Sequence, residues 1–242
     1  MRRRSPWFII WCMTRVVLVT GAASGIGAAV STELAGHGWQ VAGLDLRPVP
    51  HLAASAAVDI SDSSAVHDAV GSIRDQLGPI DALVNAAGHY EMTPVSQIST
   101  EAWRRMLRVH LGGLRNTVHA VLPDMIERRR GAIVAIASEL AIGGGDGDAH
   151  YAAAKGAIIG FVRSLAVEVA AQGVRVNSVA PGPTDTPLLS ADSPWRDPDY
   201  LATLPAGRLC SPEEVAHTVH FLIDGPGYCT GEVLSPNSGA VI

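Results

Sequence analysis

Val16-Val17-Leu18-Val19-Thr20-Gly21-Ala22-Ala23-Ser24-Gly25-Ile26-Gly27 is the stretch whose reading decides the fold. It opens with β-branched and aliphatic residues that suit a strand buried on both faces. Three glycines follow, and helix-forming sequence begins at once. Gly21 permits a tight turn, while Gly25 and Gly27 let the backbone and the next helix approach a ligand closely. A helix starting beside Ser24 and Ile26 offers free N–H groups and the positive end of its dipole to a pyrophosphate. Such a loop is a weak signal alone and a much stronger one between a first strand and a first helix.

Working outward, apolar runs alternate with helix-length segments over the rest of the chain. Further strands are expected at Gln40–Asp45, Ala56–Ile60, Ile80–Asn85, Ala132–Ser138, Val174–Val179 and Val233–Ser235. Helices are expected near Ile26–His37, Ser63–Leu77, Thr100–Arg129, Tyr151–Gln172 and Pro212–Asp224, with Pro123 kinking the long one. Alternating β and α with short links implies an α/β fold. The expected architecture is one domain built on a doubly wound parallel sheet of about seven strands, helices on both faces. No linker or internal repeat divides it. The segment of about residues 183–209, rich in Pro, Ser and Asp, is expected to form a substrate loop.

Composition excludes several function classes. Hydrophobic residues make up 48% and the net charge is −5, which suits a large core and disfavours a nucleic-acid partner. Arg128-Arg129-Arg130 reads as a solvated helix end. Cys12, Cys210 and Cys229 are odd in number and widely spaced, so neither a disulfide framework nor a metal site is implied. A reducing cytoplasm is the default. Residues 1–12, MRRRSPWFIIWC, carry an apolar stretch too short for a signal peptide or a membrane span. They are read as an extension or a misassigned start, leaving residues 13–242 as the working domain.

Two further features carry chemistry. Lys155 is the single lysine among 18 basic residues and follows Tyr151 by four positions, in Tyr151-Ala152-Ala153-Ala154-Lys155. On a helix the two share a face, so the ammonium is expected to favour the ionised phenol and bring it into use as an acid/base. Asp45 ends the second strand, eighteen residues past Gly27, where a carboxylate accepts hydrogen bonds from ribose hydroxyls and repels a 2′-phosphate. That favours NAD over NADP, with Arg47 softening the preference. Ser24 stands where an NADP binder would place a cation. Asp59-Ile60 closes the third strand, where Asp59 either meets an adenine amino group or serves as an ordinary loop carboxylate.

These motifs, with Asn85-Ala86-Ala87-Gly88, Ser138 thirteen residues before Tyr151, Asn177-Ser178-Val179-Ala180-Pro181-Gly182 and Gly207-Arg208-Leu209, resemble the short-chain dehydrogenase/reductase family from about Thr14 to Ile242. The resemblance implies a Rossmann-type domain and hydride transfer between a nicotinamide and a carbon bearing oxygen, without metal. It implies that Tyr151 is the acid/base and that Lys155 lowers its pKa and bonds the nicotinamide ribose. Ser138 would polarise the substrate oxygen. Asn85, Ala86 and Gly88 would flank the cofactor, and Pro181, Gly182 and Thr186 would border the nicotinamide. One position departs from the family: His110 stands where an asparagine usually holds a water linked to the lysine. The expectation is that His110 keeps that relay and makes activity more pH-sensitive. A homotetramer or homodimer is also implied.

Substrate-facing candidates are His89, Tyr90, Glu139, Leu140 and the Leu188–Leu204 segment, with His150 pointing sideways. The preferred reading is an NAD(H)-dependent oxidoreductase for a secondary alcohol or its ketone. The alternatives are an NADPH-dependent reductase of 3-oxoacyl thioesters on acyl carrier protein and, remotely, a nucleotide-binding regulator without turnover.

Overall fold

The computed structural model describes residues 15–225 and 227–241; the segment 1–12 lies outside the described residues. Seven strands form one parallel sheet: β1 Val16–Thr20, β2 Gln40–Asp45, β3 Ala54–Ala57, β4 Ile80–Asn85, β5 Gly131–Ile136, β6 Val174–Val179 and β7 Val233–Leu234. Their order is β3-β2-β1-β4-β5-β6-β7, so the chain reverses its direction of growth between β1 and β4. In open parallel sheets the crevice at that reversal, beyond the carboxyl ends of the strands, is where ligands bind.

Alternation along each strand divides the core into two layers. Val16, Leu18, Leu83 and Ile133 face α2 (Ser63–Leu77), α4 (Gly113–Glu127) and α6 (Ala149–Val169), meeting Val66, Leu114 and Ile158. Val17, Val19, Val84 and Val134 face α1 (Gly25–Gly36) and α8 (Pro212–Asp224), meeting Val30, Leu34 and Val215. A one-residue slip in any strand would exchange the layers, which is why the register is firm. The remaining α-helices among the described residues are α3 Thr100–Leu107 and the single turns α5 Leu140–Gly143 and α7 Pro198–Leu201. No helix among the described residues is long and apolar enough to cross a membrane.

Three expectations need correction. The third strand is Ala54–Ala57 rather than Ala56–Ile60, because its partner β2 ends at Asp45, opposite Ala57. Asp59 therefore lies past the strand, in a turn where its Oδ1 accepts from the Ser61 N–H at 2.9 Å. The long helix Thr100–Arg129 is divided by a π-helical turn, Arg108–Gly112, while α4 runs through Pro123. The arginine run is not simply solvated. Arg128 donates to Asp124 and Asp81, both at 2.9 Å, and to the Ile80 carbonyl at 2.6 Å, so it ties the end of α4 to the start of β4.

Candidate active site

The glycine loop builds the floor of a cleft. Gly21 and Gly25 hold φ of +68° and +53°, and a Cβ on Gly21 would lie 2.9 Å from the Ala87 Cα. This close approach brings the β1 loop against the Asn85–Gly88 turn. Thr20 Oγ1 fastens the two by accepting from the Ala86 and Ala87 N–H groups at 3.1 and 3.0 Å. Buried Asn85 donates to Thr117 Oγ1 at 3.2 Å and supports the turn from below. Ser24 is the N-cap of α1 but makes no side-chain capping bond, so the first turn offers its N–H groups to the cleft. Positive-φ glycines, a Cβ-free floor and an open helix N-terminus fit the pyrophosphate of a dinucleotide.

Asp45 stands at the far end of this cleft with Asp59 and Ile60. Its Oδ2 accepts from the Ala23 N–H at 3.0 Å and its Oδ1 from the Arg47 N–H at 3.1 Å. The loop therefore aims the carboxylate. The Arg47 guanidinium lies 3.9 Å away and is mostly exposed. Arg105 and Arg108 line the same cleft, and sequence reasoning missed them because α3 and its π turn bring them in from elsewhere in the chain. Thr186 lies across from the loop, 3.3 Å from where a Gly25 Cβ would sit, and bounds both the cleft and an inner cavity. Pro181 and Gly182 border that cavity; a Cβ on Gly182 would meet the Asn237 backbone at 2.7 Å.

Ser138, Tyr151 and Lys155 meet in the inner cavity with His110, Tyr90, Glu139 and Leu140. Ser138 follows the end of β5, and α6 presents Tyr151 and Lys155 on one face. Lys155 is 4% exposed, and its Nζ donates to the Ile136 carbonyl at 2.8 Å. Burial without a counter-charge pulls its pKa down to about 7. Tyr151 is pushed up, first by burial and then by the Glu139 carboxylate. Burial and the Glu139 carboxylate keep the proton on Tyr151, which rests as the acid.

Glu139 was expected only as a substrate-facing residue, and its setting is more specific. It is 5% exposed, and its Oε2 accepts from the Ser138 hydroxyl at 3.1 Å. Burial raises its pKa to about 7. While ionised, Glu139 is the stronger acceptor of the Ser138 proton; once protonated it is a weaker one, and the proton is more available to a substrate oxygen. No sequence pattern signals this link, since it depends on the turn after β5 folding the carboxyl back.

His110 sits in the π turn, 1% exposed, against Gly88, where a Cβ would come within 2.3 Å of its ring. Its Nε2 lies 2.8 Å from the His89 carbonyl, and its Nδ1 is buried without a partner. Burial and the Lys155 charge hold its pKa well below the ordinary 6.5. His110 is thus neutral around pH 7, which corrects the expectation of a pH-sensitive relay. His89 lines the outer cleft rather than the inner cavity, and His150 is buried beside Trp103 outside both. The 183–209 segment carries α7 and reaches over the cavity through Trp195, whose Nε1 donates to Tyr90 Oη at 2.8 Å. Tyr90 in turn donates to Asp148 at 2.8 Å, so the loop is tied to the start of α6.

Comparison with known proteins agrees with this geometry. The short chain dehydrogenase family model matches residues 15–197. The 3-oxoacyl-[acyl-carrier-protein] reductase FabG of Escherichia coli (strain K12) is 36% identical over 235 residues, covering 93% of this chain and 96% of that protein. The acetoacetyl-CoA reductase of Shinella zoogloeoides is 36% identical over 237 residues, covering 94% and 98%. Among solved structures, the ligand-free aldohexose dehydrogenase of Thermoplasma acidophilum superposes with a TM-score of 0.87 at 29% identity, covering 93% of each chain. Gox2181 superposes with a TM-score of 0.88 at 31% identity, covering 93% of this chain and 95% of that one. The chain belongs to the short-chain dehydrogenase family, whose members are oxidoreductases that use a nicotinamide cofactor at a carbon bearing oxygen.

Proposed function

We propose that this protein is an NAD(H)-dependent oxidoreductase of a small secondary alcohol or its ketone, with Tyr151 as acid/base. The convergence of buried Ser138, Tyr151 and Lys155 on one cavity carries the reading. Bound nicotinamide would supply or take the hydride; the protein contributes binding, orientation and the proton. Gly21, Ser24, Gly25, Ile26 and Gly27 hold the pyrophosphate. Asp45 receives the ribose hydroxyls, which favours NAD over NADP, and Asp59 with Ile60 bounds the adenine. Asn85, Ala86 and Gly88 support the middle of the dinucleotide. Pro181, Gly182 and Thr186 border its nicotinamide end.

In the reducing direction, Tyr151 donates its proton to the carbonyl oxygen as that oxygen gains charge. Ser138 holds the same oxygen with its hydroxyl, which requires that Glu139 not claim the hydroxyl proton. Lys155, next to Tyr151 on α6 and held by the Ile136 carbonyl, stabilises the phenolate left behind. The unpartnered Nδ1 of His110, within the field of Lys155, supports an acceptor role in re-protonation. A homotetramer or homodimer in the cytoplasm belongs to the same reading, supported by the exposed apolar side chains Val167, Phe221 and Tyr228.

A second reading, an NADPH-dependent 3-oxoacyl thioester reductase, is favoured by the guanidinium groups of Arg47, Arg105 and Arg108 along the cleft. The names of the similar reductases point the same way. Parallel NADH and NADPH oxidation against a 3-oxoacyl thioester, a cyclic diketone, a keto-sugar and a steroid ketone separates the two. Turnover of a simple ketone with NADH supports the first reading, and turnover confined to the thioester with NADPH replaces it with the second.

A further inference from the structure

At the end of α1 away from the glycine loop, Glu33 is surrounded by three histidines from two helices. His37, which caps the end of α1, follows it by one turn, and His217 and His220 come from α8, which packs against α1. Glu33 Oε1 lies 3.5 Å from His37 Nδ1 and 3.4 Å from His220 Nδ1, and Oε2 lies 3.5 Å from His217 Nε2. These separations are longer than a charge-assisted hydrogen bond, which closes to about 2.7–2.9 Å. They match another geometry. A tetrahedral zinc ion with Zn–N near 2.0–2.1 Å keeps its ligand atoms about 3.3–3.4 Å apart. The ligand atoms of Glu33, His37 and His220 all lie within 4.8 Å of one another.

The surrounding groups fix one of these ligands as a metal site requires. His220 Nε2 faces Asp224 Oδ2 at 3.3 Å, so the carboxylate lies on the side of the ring away from Nδ1, which faces Glu33. Asp224 is itself held, by Trp39 Nε1 at 3.1 Å and by both terminal nitrogens of Arg15. A carboxylate facing the far nitrogen of a ligating histidine is the usual support of such sites, and Asp224 is placed to close onto it. Arg15 balances Asp224, which leaves Glu33 as the anion facing the histidines. His37 Nδ1 lies 2.9 Å from the Glu33 carbonyl, so a metal bound at this nitrogen would take the place of its proton.

We infer that Glu33, His37 and His220, with His217 or water as the fourth ligand, bind one divalent transition-metal ion of the zinc type and clamp α1 to α8. Imidazole and carboxylate ligands suit Zn²⁺, Ni²⁺ or Cu²⁺ rather than Mg²⁺ or Ca²⁺. The site lies outside the catalytic cavity, so its role is structural.

The test is calorimetric titration of tag-free, chelator-treated full-length protein with Zn²⁺ alone, and Co²⁺ absorption as a reporter of coordination. One equivalent should bind, and bound Co²⁺ should show the intense visible bands of a four-coordinate site. His220→Ala and Glu33→Gln should each weaken Zn²⁺ at least about 10-fold. Asp224→Asn should weaken it by about 10- to 100-fold, the usual effect of losing such a support. His37→Ala, at an exposed position, should also weaken Zn²⁺ at least about 10-fold and keeps the test decisive if another variant folds poorly; unchanged affinity in it would equally overturn the inference. Zn²⁺ affinity unchanged in His220→Ala or Glu33→Gln, or no binding by the wild type, would overturn the inference.

Discussion

Replacing Glu139 by Gln removes a buried ionisation without changing shape, and the structure sets the size of the effect. The carboxyl moves from an ordinary value of 4.5 to about 7. At 1.36 kcal/mol per pH unit this is about 3 kcal/mol. An acid whose folded pKa lies above its unfolded one is held protonated by the fold. Its contribution is intact below the unfolded value and is lost as pH rises through about 7. Glutamine never ionises, so the variant should gain on the wild type by roughly 2–3 kcal/mol between pH 5 and pH 8. Lys155 also titrates near 7, in the opposite sense, but it is common to both proteins and cancels in the difference. The assay is urea unfolding of both proteins at the two pH values and at equal protein concentration, since subunit association adds to stability. The same substitution replaces an anionic acceptor of the Ser138 proton with a weaker neutral one that does not titrate, so a decline in ketone reduction above pH ~7 in the wild type should be missing from the variant. A stability gap that stays constant from pH 5 to pH 8 would refute the buried, Ser138-bonded carboxylate.

Asp45→Ala removes a carboxylate aimed into the cleft by Ala23 and Arg47. The ratio of NADH to NADPH affinity should shift toward NADPH by roughly 10-fold or more, as expected for a hydrogen bond to a charged group; an unmoved ratio removes Asp45 as selector. His110→Asn should lower the rate without moving the pH–rate profile between pH 6 and 9, because the ring is already neutral there. A displaced limb would show that His110 titrates in the working range. Gly88→Ala drives a methyl to 2.3 Å from the His110 ring and should cost about 1–3 kcal/mol. The smaller side chain of a Gly88→Ala/His110→Asn double variant should recover most of that cost, and strictly additive losses would contradict the packing.

What the sequence made legible was local or periodic. The strand–glycine–helix unit at residues 16–27 and the Tyr151/Lys155 spacing each encode their geometry within a few residues. The continuous apolar runs of β1, β4 and β5 announced a sheet buried on both faces. The third strand was misplaced because its end is set by the length of β2, not by its own apolar run. The π turn at Arg108–Gly112 was invisible because one extra residue per turn leaves no compositional mark. Glu139 could be named as cavity-facing, but its bond to Ser138 depends on how the chain turns after β5. The links from Trp195 through Tyr90 to Asp148 and the Glu33 cluster join residues far apart in the chain, which only the folded sheet brings together.

The central claim is that Tyr151 carries the proton in a nicotinamide-dependent reaction, and single-turnover reduction of a ketone by wild type and Tyr151→Phe tests it most directly. Phenylalanine keeps the ring against Tyr90 and His110 and removes only the hydroxyl. The account predicts a loss of at least ~10²-fold in rate with NADH binding retained. A Tyr151→Phe variant that reduces the ketone at close to the wild-type rate would contradict it.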